Sequence, residues 1–491
     1  MNRELFPHQV TAIEMLRASL GSGKRRPVLQ APTGFGKTML AAAIVEGALA
    51  KRKRVIFTVP ALSLVDQTVQ AFWDEGVRDV GVIQGYHAMT EASRPVQVAS
   101  VQTLMRREVP MADVVVIDEC HRWFDFYGRW MTEAAWQNVP FIGLSATPWT
   151  RGLGRYYDDL IIAATTDDLI KSDYLAPFRV FAPSHPDLSK VRTVAGDYHE
   201  GDLSDVMNDN PLVADVVETW LRRAEGRSTF CFAVDRAHAK HLQEKFTAAG
   251  VSTGYIDANT PVSEREVIKG KFHNGEIRVV CNVGCLTTGI DWDVRCIVLA
   301  RPTKSEMLFV QIIGRGLRTA EGKEDCLILD HSDTHIRLGF VTDIHHDALD
   351  DGRPRAQPKM SDRVKLPKEC PKCAFLKPPR MQNCPACGFK AEAVSNVKMG
   401  DGDLVEVNGR KRSDATMDEK VMFFGELKGF AVERGYKPGW AANQYRQKFG
   451  VWPRGIDDVT PREPSMKTRS WVKSRLIAWA KSKKREDHAT A

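Results

Sequence analysis

Ahead of the helix-forming stretch 39–50, and directly after the apolar run Pro27-Val28-Leu29-Gln30, stands Ala31-Pro32-Thr33-Gly34-Phe35-Gly36-Lys37-Thr38. Strand, glycine-bearing loop and helix in that order form the context that a phosphate-binding loop requires. Backbone N–H groups around Gly34 and Gly36 can wrap phosphates, helped by the positive end of the following helix. Lys37 would reach the outer phosphates and the Thr38 hydroxyl would ligate Mg²⁺. Further along, Val114-Val-Val-Ile-Asp118-Glu119-Cys120-His121 reads as a buried strand ending in two adjacent carboxylates. Asp118 can hold the metal, and Glu119 can take a proton from an attacking water. Either string alone is weak. Together, each behind a strand, they imply a nucleoside triphosphatase.

The same strand-then-helix alternation recurs at residues 54–60, 96–101, 113–118, 141–145, 229–234 and 278–282. Most of these runs are apolar throughout, as strands covered on both faces should be. The pattern predicts α/β architecture with parallel sheets and flanking helices. Residues 167–183 are expected to cross between two such units. No run of eighteen apolar residues occurs, and the N-terminus leads straight into the first strand-and-loop unit. The expectation is therefore neither membrane span nor signal peptide, and a cytoplasmic protein of a bacterium or a phage-infected cell.

Four further segments bear a specific resemblance. Phe141-Ile-Gly-Leu-Ser145-Ala146-Thr147-Pro148 is a strand ending in a Ser-Ala-Thr turn, and Thr287-Thr288-Gly289-Ile290-Asp291 follows the strand at 278–282. Gln311-Ile-Ile-Gly314-Arg315-Gly316-Leu317-Arg318 comes next, and Pro7-His8-Gln9 precedes the phosphate loop. With the two strings above, and in this order, they resemble the motifs of superfamily 2 helicases and translocases of the DEAD/DEAH-box type. The resemblance spans about residues 1 to 340. It implies two tandem RecA-like domains, ATP and Mg²⁺ as cofactors, and ATP hydrolysis. Gln9 would read adenine. Arg315 and Arg318, spaced to share a helix face, would stabilise the transferring phosphate from the second domain. Gln311 and His121 would couple nucleotide state to domain closure, with Ser145 and Thr147 as linkage residues. Asp291, beside Gly289, would approach the ribose. Pro60, Ser100 and Thr103 in the first domain, with Thr287 or Thr288 in the second, would touch nucleic-acid phosphates.

Charge is distributed unevenly. From Gly352 onward there are 30 Lys+Arg against 16 Asp+Glu, whereas the preceding residues hold 39 against 46. A basic tail on such a motor points to nucleic acid. Cys370-Pro-Lys-Cys373 and Cys384-Pro-Ala-Cys387 are two knuckles at the spacing of a tetrahedral structural Zn²⁺ site. A ribbon this small has no core of its own, so metal is expected to hold it folded and its loss to leave the motor's melting unchanged. The other six cysteines read as reduced, small apolar residues. Residues 350–359 have linker chemistry. Beyond the ribbon, Met417, Val421, Phe424, Leu427 and Ala431 fall at helical spacing up to Gly435 and read as core. Tyr436, Trp440, Tyr445, Phe449 and Trp452 alternate with basic residues, a pattern that fits both base stacking and core packing.

The expected organisation is a RecA-like ATP-binding domain at 1–165 and a second RecA-like domain at 166–350. Linker and zinc ribbon follow at 351–395, then a basic, mainly helical domain at 396–491. This layout resembles RadD-like proteins of phages and prophages. The resemblance implies an ATP-dependent helicase or translocase on single-stranded, duplex or branched DNA in recombination, repair or replication. Single-strand-binding, recombination or nuclease proteins are the partners it suggests. Two other readings stay open: the motor subunit of a restriction or defence complex that needs a nuclease, and an ATP-timed clamp or loader that separates no strands. RNA as the track is a further alternative.

Overall fold

The computed structural model describes residues 3–287, 291–353, 366–379, 381–390, 415–437 and 439–487, without the side chains of Asn210 and 477–487. Thr288 and Gly289, most of the 350–359 segment and the basic side chains near the C-terminus lie outside the described residues. The chain divides into two compact units, Met1–Glu392 and Ala393–Ala491. Among the described residues no helix is long and apolar enough to cross a membrane.

The first unit contains two parallel sheets. Its N-terminal lobe runs α1 (Pro7–Gly21), β1 (Pro27–Gln30), α2 (Lys37–Leu49), β2 (Val55–Val59), α3 (Val65–Asp74), β3 (Val80–Val82), β4 (Val96–Ser100), α4 (Val101–Leu104), β5 (Val114–Asp118), α5 (Asp125–Thr132), β6 (Phe141–Ser145) and β7 (Asp159–Ile162). The seven strands lie in the order β3-β4-β2-β5-β6-β1-β7, all pairings parallel. Strands β1, β2, β4 and β6 are buried at every position, the consequence of helices on both faces. The order sets β6 between β1 and β5, so the phosphate loop, the carboxylate end of β5 and the Ser-Ala-Thr turn open on the same sheet edge. That edge, outside the carboxyl ends of parallel strands, is where such sheets bind ligands.

The second lobe begins with α6 (Thr166–Lys171), capped by Thr165 and Asp168, and β8 (Phe178–Phe181). A small hairpin, β9 (Thr193–Val194) and β10 (Asp197–Tyr198), leads to α7 (Glu200–Met207), α8 (Asn210–Arg223), β11 (Thr229–Phe232), α9 (Arg236–Ala248), β12 (Thr253–Ile256), α10 (Val262–His273), β13 (Val279–Asn282), β14 (Cys296–Leu299), α11 (Glu306–Gly316), β15 (Cys326–Asp330) and α12 (Thr334–Leu338). The sheet order is β12-β13-β11-β14-β15-β8. The two lobes approach closely at Gly314. A Cβ on Gly314 of α11 would fall 2.6 Å from the Thr33 side chain of the phosphate loop, so only glycine allows this approach. Cys120, Cys231, Cys281, Cys296 and Cys326 are buried free thiols and Cys285 is half-buried, as expected of small apolar residues.

A short hairpin, β16 (Lys368–Glu369) and β17 (Leu376–Lys377), carries the cysteine knuckles. The segment 350–353 is less free than its linker composition suggests. Gly152 and Gly154 donate to the Asp350 side chain and carbonyl at 3.1 and 2.8 Å, and Arg155 Nε donates to the Asp351 carbonyl at 2.8 Å. The chain thus returns to the first lobe after completing the second.

In the second unit α13 (Met417–Glu433), α14 (Gly439–Phe449) and α15 (Met466–Asp487) form a small helical domain. Thr416 and Glu419 make a reciprocal cap for α13. The apolar stripe differs from its reading in sequence at its start: Met417 is exposed, while Phe423 and Phe430 join Phe424, Leu427 and Ala431 inside. Packing on two helices needs a wider face than one heptad row supplies. The aromatics also divide. Tyr445 is core, whereas Tyr436 and Trp452 are exposed, the latter with the Arg446 guanidinium 4.7 Å above its ring. A Cβ on Gly429 would overlap the Arg462 carbonyl oxygen. Gly429→Ala is therefore expected to destabilise this unit by about 1–3 kcal/mol. Faster hydrogen exchange in α13 and α14, with unchanged exchange in β1–β7, is the measurement.

Candidate nucleotide site and cysteine cluster

The phosphate loop is held open by backbone geometry that its glycines permit. Gly34 and Gly36 have φ of +89° and +82°, and Gly36 opens α2 with no side chain capping its amides. The uncapped N–H groups at this helix start are free for an anion. Pro32 and Phe35 are buried, while Thr38 is exposed at the helix start. Gln9 is wholly buried beneath the loop, with every polar atom in use. Its Oε1 accepts from Phe6 N–H at 3.0 Å, and its Nε2 donates to the carbonyls of Phe35 and Gly36 at 3.0 and 3.3 Å. His8 Nε2 also lies 3.1 Å from the Phe35 carbonyl. Gln9 in this structure sets the shape of the loop.

Lys37 Nζ is 3.0 Å from Asp118 Oδ1 and is also ion-paired with Glu119. Burial opposes charge on Lys37, but the two carboxylates outweigh it and hold the ammonium well above the ordinary lysine range. Burial likewise works against ionised Glu119, yet Lys37 and the hydrogen bond from His121 keep its carboxyl well below the usual range. For Asp118 burial prevails, with help from the neighbouring charge of Glu119, and its carboxyl is pushed up. Glu119 also sits at φ +50°, a conformation that costs a residue with a Cβ on the order of 1–3 kcal/mol and is held by its surroundings. Two carboxyl groups face one ammonium, and the hydroxyl-bearing Thr38 follows Lys37 in the chain. This is a donor set that fits Mg²⁺.

From the carboxylates a hydrogen-bond chain runs into the second lobe. His121 Nδ1 is 3.2 Å from Glu119 Oε2 and 2.8 Å from Ser145 Oγ, which accepts from Thr147 N–H at 3.0 Å. Gln311 Nε2, on α11, reaches His121 Nε2 at 3.2 Å and Thr147 Oγ1 at 3.1 Å. The amide donates, so His121 Nε2 accepts and its proton is assigned to Nδ1. The sequence did not mark Thr150, whose hydroxyl donates to the His121 carbonyl at 2.5 Å, nor His346, which joins Trp149 of the first lobe (rings 4.7 Å apart) to Glu306 of the second (2.7 Å). Neither residue type at these positions carries a local signal.

Arg315 and Arg318 do not share a helix face. The helix ends at Gly316, and Arg318 lies beyond its cap, at a bridge to Leu175. The glycine-rich end of the segment, which closes the helix, is why. Arg315 donates to the Thr287 carbonyl through Nε at 2.9 Å and a terminal nitrogen at 2.5 Å. Burial, then the charge of Arg318, pushes its pKa down to about 9. Arg318 pairs with Asp291 at 2.7 Å. Three of the residues expected to meet nucleic-acid phosphates have internal roles. Ser100 is buried and caps α4, Pro60 is buried with its carbonyl accepting from Gln102, and the Thr287 hydroxyl donates to the Gly284 carbonyl.

The four cysteines of the knuckles come together, with all their sulfurs within 4.8 Å of one another. Cys370 and Cys387 sulfurs are 3.7 Å apart, and those of Cys373 and Cys384 3.6 Å. Those gaps are far too long for a disulfide and close to the roughly 3.8 Å edge of a tetrahedron with about 2.3 Å Zn–S bonds. The donor set fits zinc. Contrary to expectation, the ribbon is not isolated from the motor. Cys370, Phe375 and Cys384 belong to the same buried cluster as Phe181, Val213 and Trp220 of the second lobe. Ala182 donates to the Ala374 carbonyl at 2.9 Å and Arg223 to that of Cys373 at 2.8 Å. The ribbon thereby covers the outer edge of β8, which would otherwise be open. Chelation, or Cys384→Ser, should therefore loosen the second lobe as well as the ribbon. Metal analysis should give one zinc per chain, and hydrogen exchange of β8 and α8 should rise on its removal. Unchanged exchange there would return the ribbon to an independent appendage.

Residues 2–150 match the family described as the type III restriction enzyme, res subunit, and residues 212–320 the helicase conserved C-terminal domain. A "51.5 kDa protein" of Lactococcus phage (isolate 7-9) is 28% identical over 375 residues, covering 74% of this chain and 77% of the phage protein. "Putative ATP-dependent helicase IRC3" of Saccharomyces cerevisiae is 34% identical over 250 residues, 48% of this chain and 36% of the yeast protein. This chain therefore spans about a third of that relative's length. Among solved structures, the fragment of "a putative HsdR subunit of a type I restriction enzyme from Vibrio vulnificus YJ016" superposes with a TM-score of 0.54. It is 22% identical and covers 71% of this chain and 66% of its own, a likeness of fold.

Proposed function

The chain belongs to the superfamily 2 helicases of the DEAD/DEAH-box type, which use ATP and Mg²⁺, and from that premise we propose a DNA translocase or helicase that couples ATP hydrolysis to movement of its two lobes on a strand. The observation that carries the reading is the chain of hydrogen bonds from Glu119 through His121 to Gln311. It joins the group placed to activate water to a helix of the other lobe, so a change in nucleotide state is felt across the cleft. In this reading the first lobe is 1–165 and the second 166–350.

Each residue has a part. Lys37, released from its carboxylates, would bind the outer phosphates with the amides of Gly34, Gly36 and Thr38, while Pro32, Thr33 and Phe35 shape the loop. Thr38 and Asp118 would hold Mg²⁺, which supplies positive charge to the phosphates. Glu119, kept ionised by its neighbours, would take the proton of the attacking water. Arg315 and Arg318 would leave Thr287 and Asp291 as the lobes close further and add positive charge to the transition state. Gln9, its amide engaged by Phe6, Phe35 and Gly36, would hold the loop in shape for the nucleotide rather than meet adenine itself. A zinc-bound ribbon and the basic C-terminal unit would add grip on DNA. The match of residues 2–150 to a restriction-enzyme family favours one second reading, in which this motor serves a complex whose nuclease is another chain.

Steady-state ATPase without nucleic acid, and with single-stranded DNA, duplex, a four-way junction and RNA at fixed low salt, tests the proposal. Strong stimulation by one DNA form is the expected result, and strand displacement then separates helicase from translocase. Rates indifferent to every nucleic acid would overturn it, and co-purification with a nuclease would then favour the second reading. Lys37→Ala and Glu119→Gln should both abolish turnover, the latter while sparing ATP binding. Arg315→Ala and Arg318→Ala should retain nucleotide affinity and lower the rate by about a thousandfold. Undiminished hydrolysis in either of the first two variants would remove the site assignment.

A further inference from the structure

In the C-terminal unit the aromatic and basic residues that alternate after α13 divide by their surroundings. Tyr445 packs on Phe424 with ring centres 5.4 Å apart, and Phe449 on Phe423 at 5.7 Å, both against the helical core. Lys448 belongs with them, its ammonium 3.4 Å from the centre of the Phe423 ring. Trp452 does not. It keeps 43% of its surface in solvent, and the Arg446 guanidinium lies 4.7 Å from the centre of its ring.

The backbone keeps Trp452 outside. Gly450 and Gly455, at φ of +73° and +76°, bracket the turn that follows α14. Within and after that turn Pro453 and Ile456 are buried, while Val451, Trp452 and Arg454 are exposed. A small unit that holds an indole out of its core forgoes a large apolar burial. Charge around the ring is of one sign. Residues 434–456 hold five Lys and Arg and no Asp or Glu. Four of the five, Arg434, Lys437, Arg446 and Arg454, are exposed and make no ion pair among the described residues. Of the acids flanking the stretch, Glu433 is held by Arg469 at 2.7 and 2.8 Å, and Asp457 and Asp458 stand beyond the buried Ile456.

We propose that the turn after α14 is a docking site for single-stranded nucleic acid, with Trp452 stacking on an unpaired base and Arg446 and Arg454 holding phosphates. The inference rests on the reading of this chain as a nucleic-acid motor and names the residues by which its C-terminal unit meets the strand. Guanidinium groups without an opposing carboxylate select an anion. An anchored, exposed indole adds a flat apolar face. A polymer of alternating phosphates and bases meets both demands, and a duplex, whose bases are stacked on one another, does not meet the second. Arg446 serves twice, since a guanidinium over the indole leaves its remaining donors for a phosphate. Grip of this kind holds a strand without reading its sequence.

The test uses the full chain and fluorescence anisotropy with fluorescein-labelled deoxythymidine and uridine oligonucleotides and a DNA duplex, over a range of salt. The two single strands distinguish DNA from RNA at the same turn. Trp452→Ala should weaken single-strand binding on the order of ten- to a hundredfold at unchanged salt slope, leave duplex binding unchanged, and be largely rescued by Trp452→Phe. The double variant Arg446→Ala, Arg454→Ala should lower the slope of log K against log salt by about 0.7 for each phosphate no longer neutralised. All three side chains are exposed, so melting and the ATPase rate without nucleic acid should match the parent, and a folding defect would be recognised. Equal binding by parent and variants at every salt would overturn the proposal while leaving the motor reading intact. If Trp452→Ala weakens binding but no nucleic acid stimulates the parent's ATPase, the site stands and the motor reading falls. A parent that binds no single strand would overturn the site.

Discussion

The arrangement depends on a single ammonium group held between two carboxylates. Lys37 comes from the loop after β1, Asp118 and Glu119 from the end of β5, and β6 lies between those strands. An unpaired charge at this depth is costly, so the three groups hold the loop and the strand end together. Two constraints follow. Glu119 must accept a left-handed backbone to turn its carboxylate inwards, and Gly36 must be glycine because a Cβ there would overlap Gln9 Nε2. The strained strand end, the buried glutamine and the glycine loop are one device, and each is needed to hold the charges where phosphate chemistry can use them.

That device is only half of a motor until the second lobe reads it. Contacts between the lobes include Gly314 against Thr33, Gln311 with His121 and Thr147, and Thr150 close to Met307. Because Gln311 donates to His121, any change in the hydrogen bond between His121 and Glu119 alters an interaction that α11 makes. These directional bonds lie beside apolar contacts, since one buried cluster runs from Phe35 and Leu40 into Leu175, Phe309 and Ile313. The lobes are also tied where the chain returns, through Asp350 and the amides of Gly152 and Gly154, and through His346 between Trp149 and Glu306. The two lobes are thus joined by the covalent connection into α6, by the α11 contacts and by these interactions.

Much of this was legible in the sequence because it follows from strong local rules. Apolar runs buried on both faces mark parallel strands, the loop glycines mark a strand-to-helix turn, and paired knuckles mark a tetrathiolate cluster. Where the reading departed from the structure, the deciding information was not local. Spacing of three placed Arg315 and Arg318 on one face only if the helix continued, and it stops at Gly316. Ser100 and Pro60 sit where a strand-tracking motif would, yet the first is taken by the cap of α4 and the second by a glutamine side chain. Asp350 to Gly352 have the composition of a linker and are held by groups of residues 152–155, nearly two hundred positions earlier. No window of sequence contains such an interaction.

The cysteine ribbon shows the same principle at the level of domains. By composition it is a self-contained metal module, too small to fold without its ion. In space two of its cysteines lie in the apolar cluster under α8, and its backbone accepts hydrogen bonds from Ala182 and Arg223. The Arg223 guanidinium lies 4.1 Å above the Phe181 ring, which itself packs on Phe375. The edge strand β8 is therefore held between β15 on one side and the ribbon on the other. β8 is also the first strand after the crossing from the first lobe, where any relative movement of the lobes would be felt. The cysteine cluster packs on that strand, so ribbon and second lobe share one buried core.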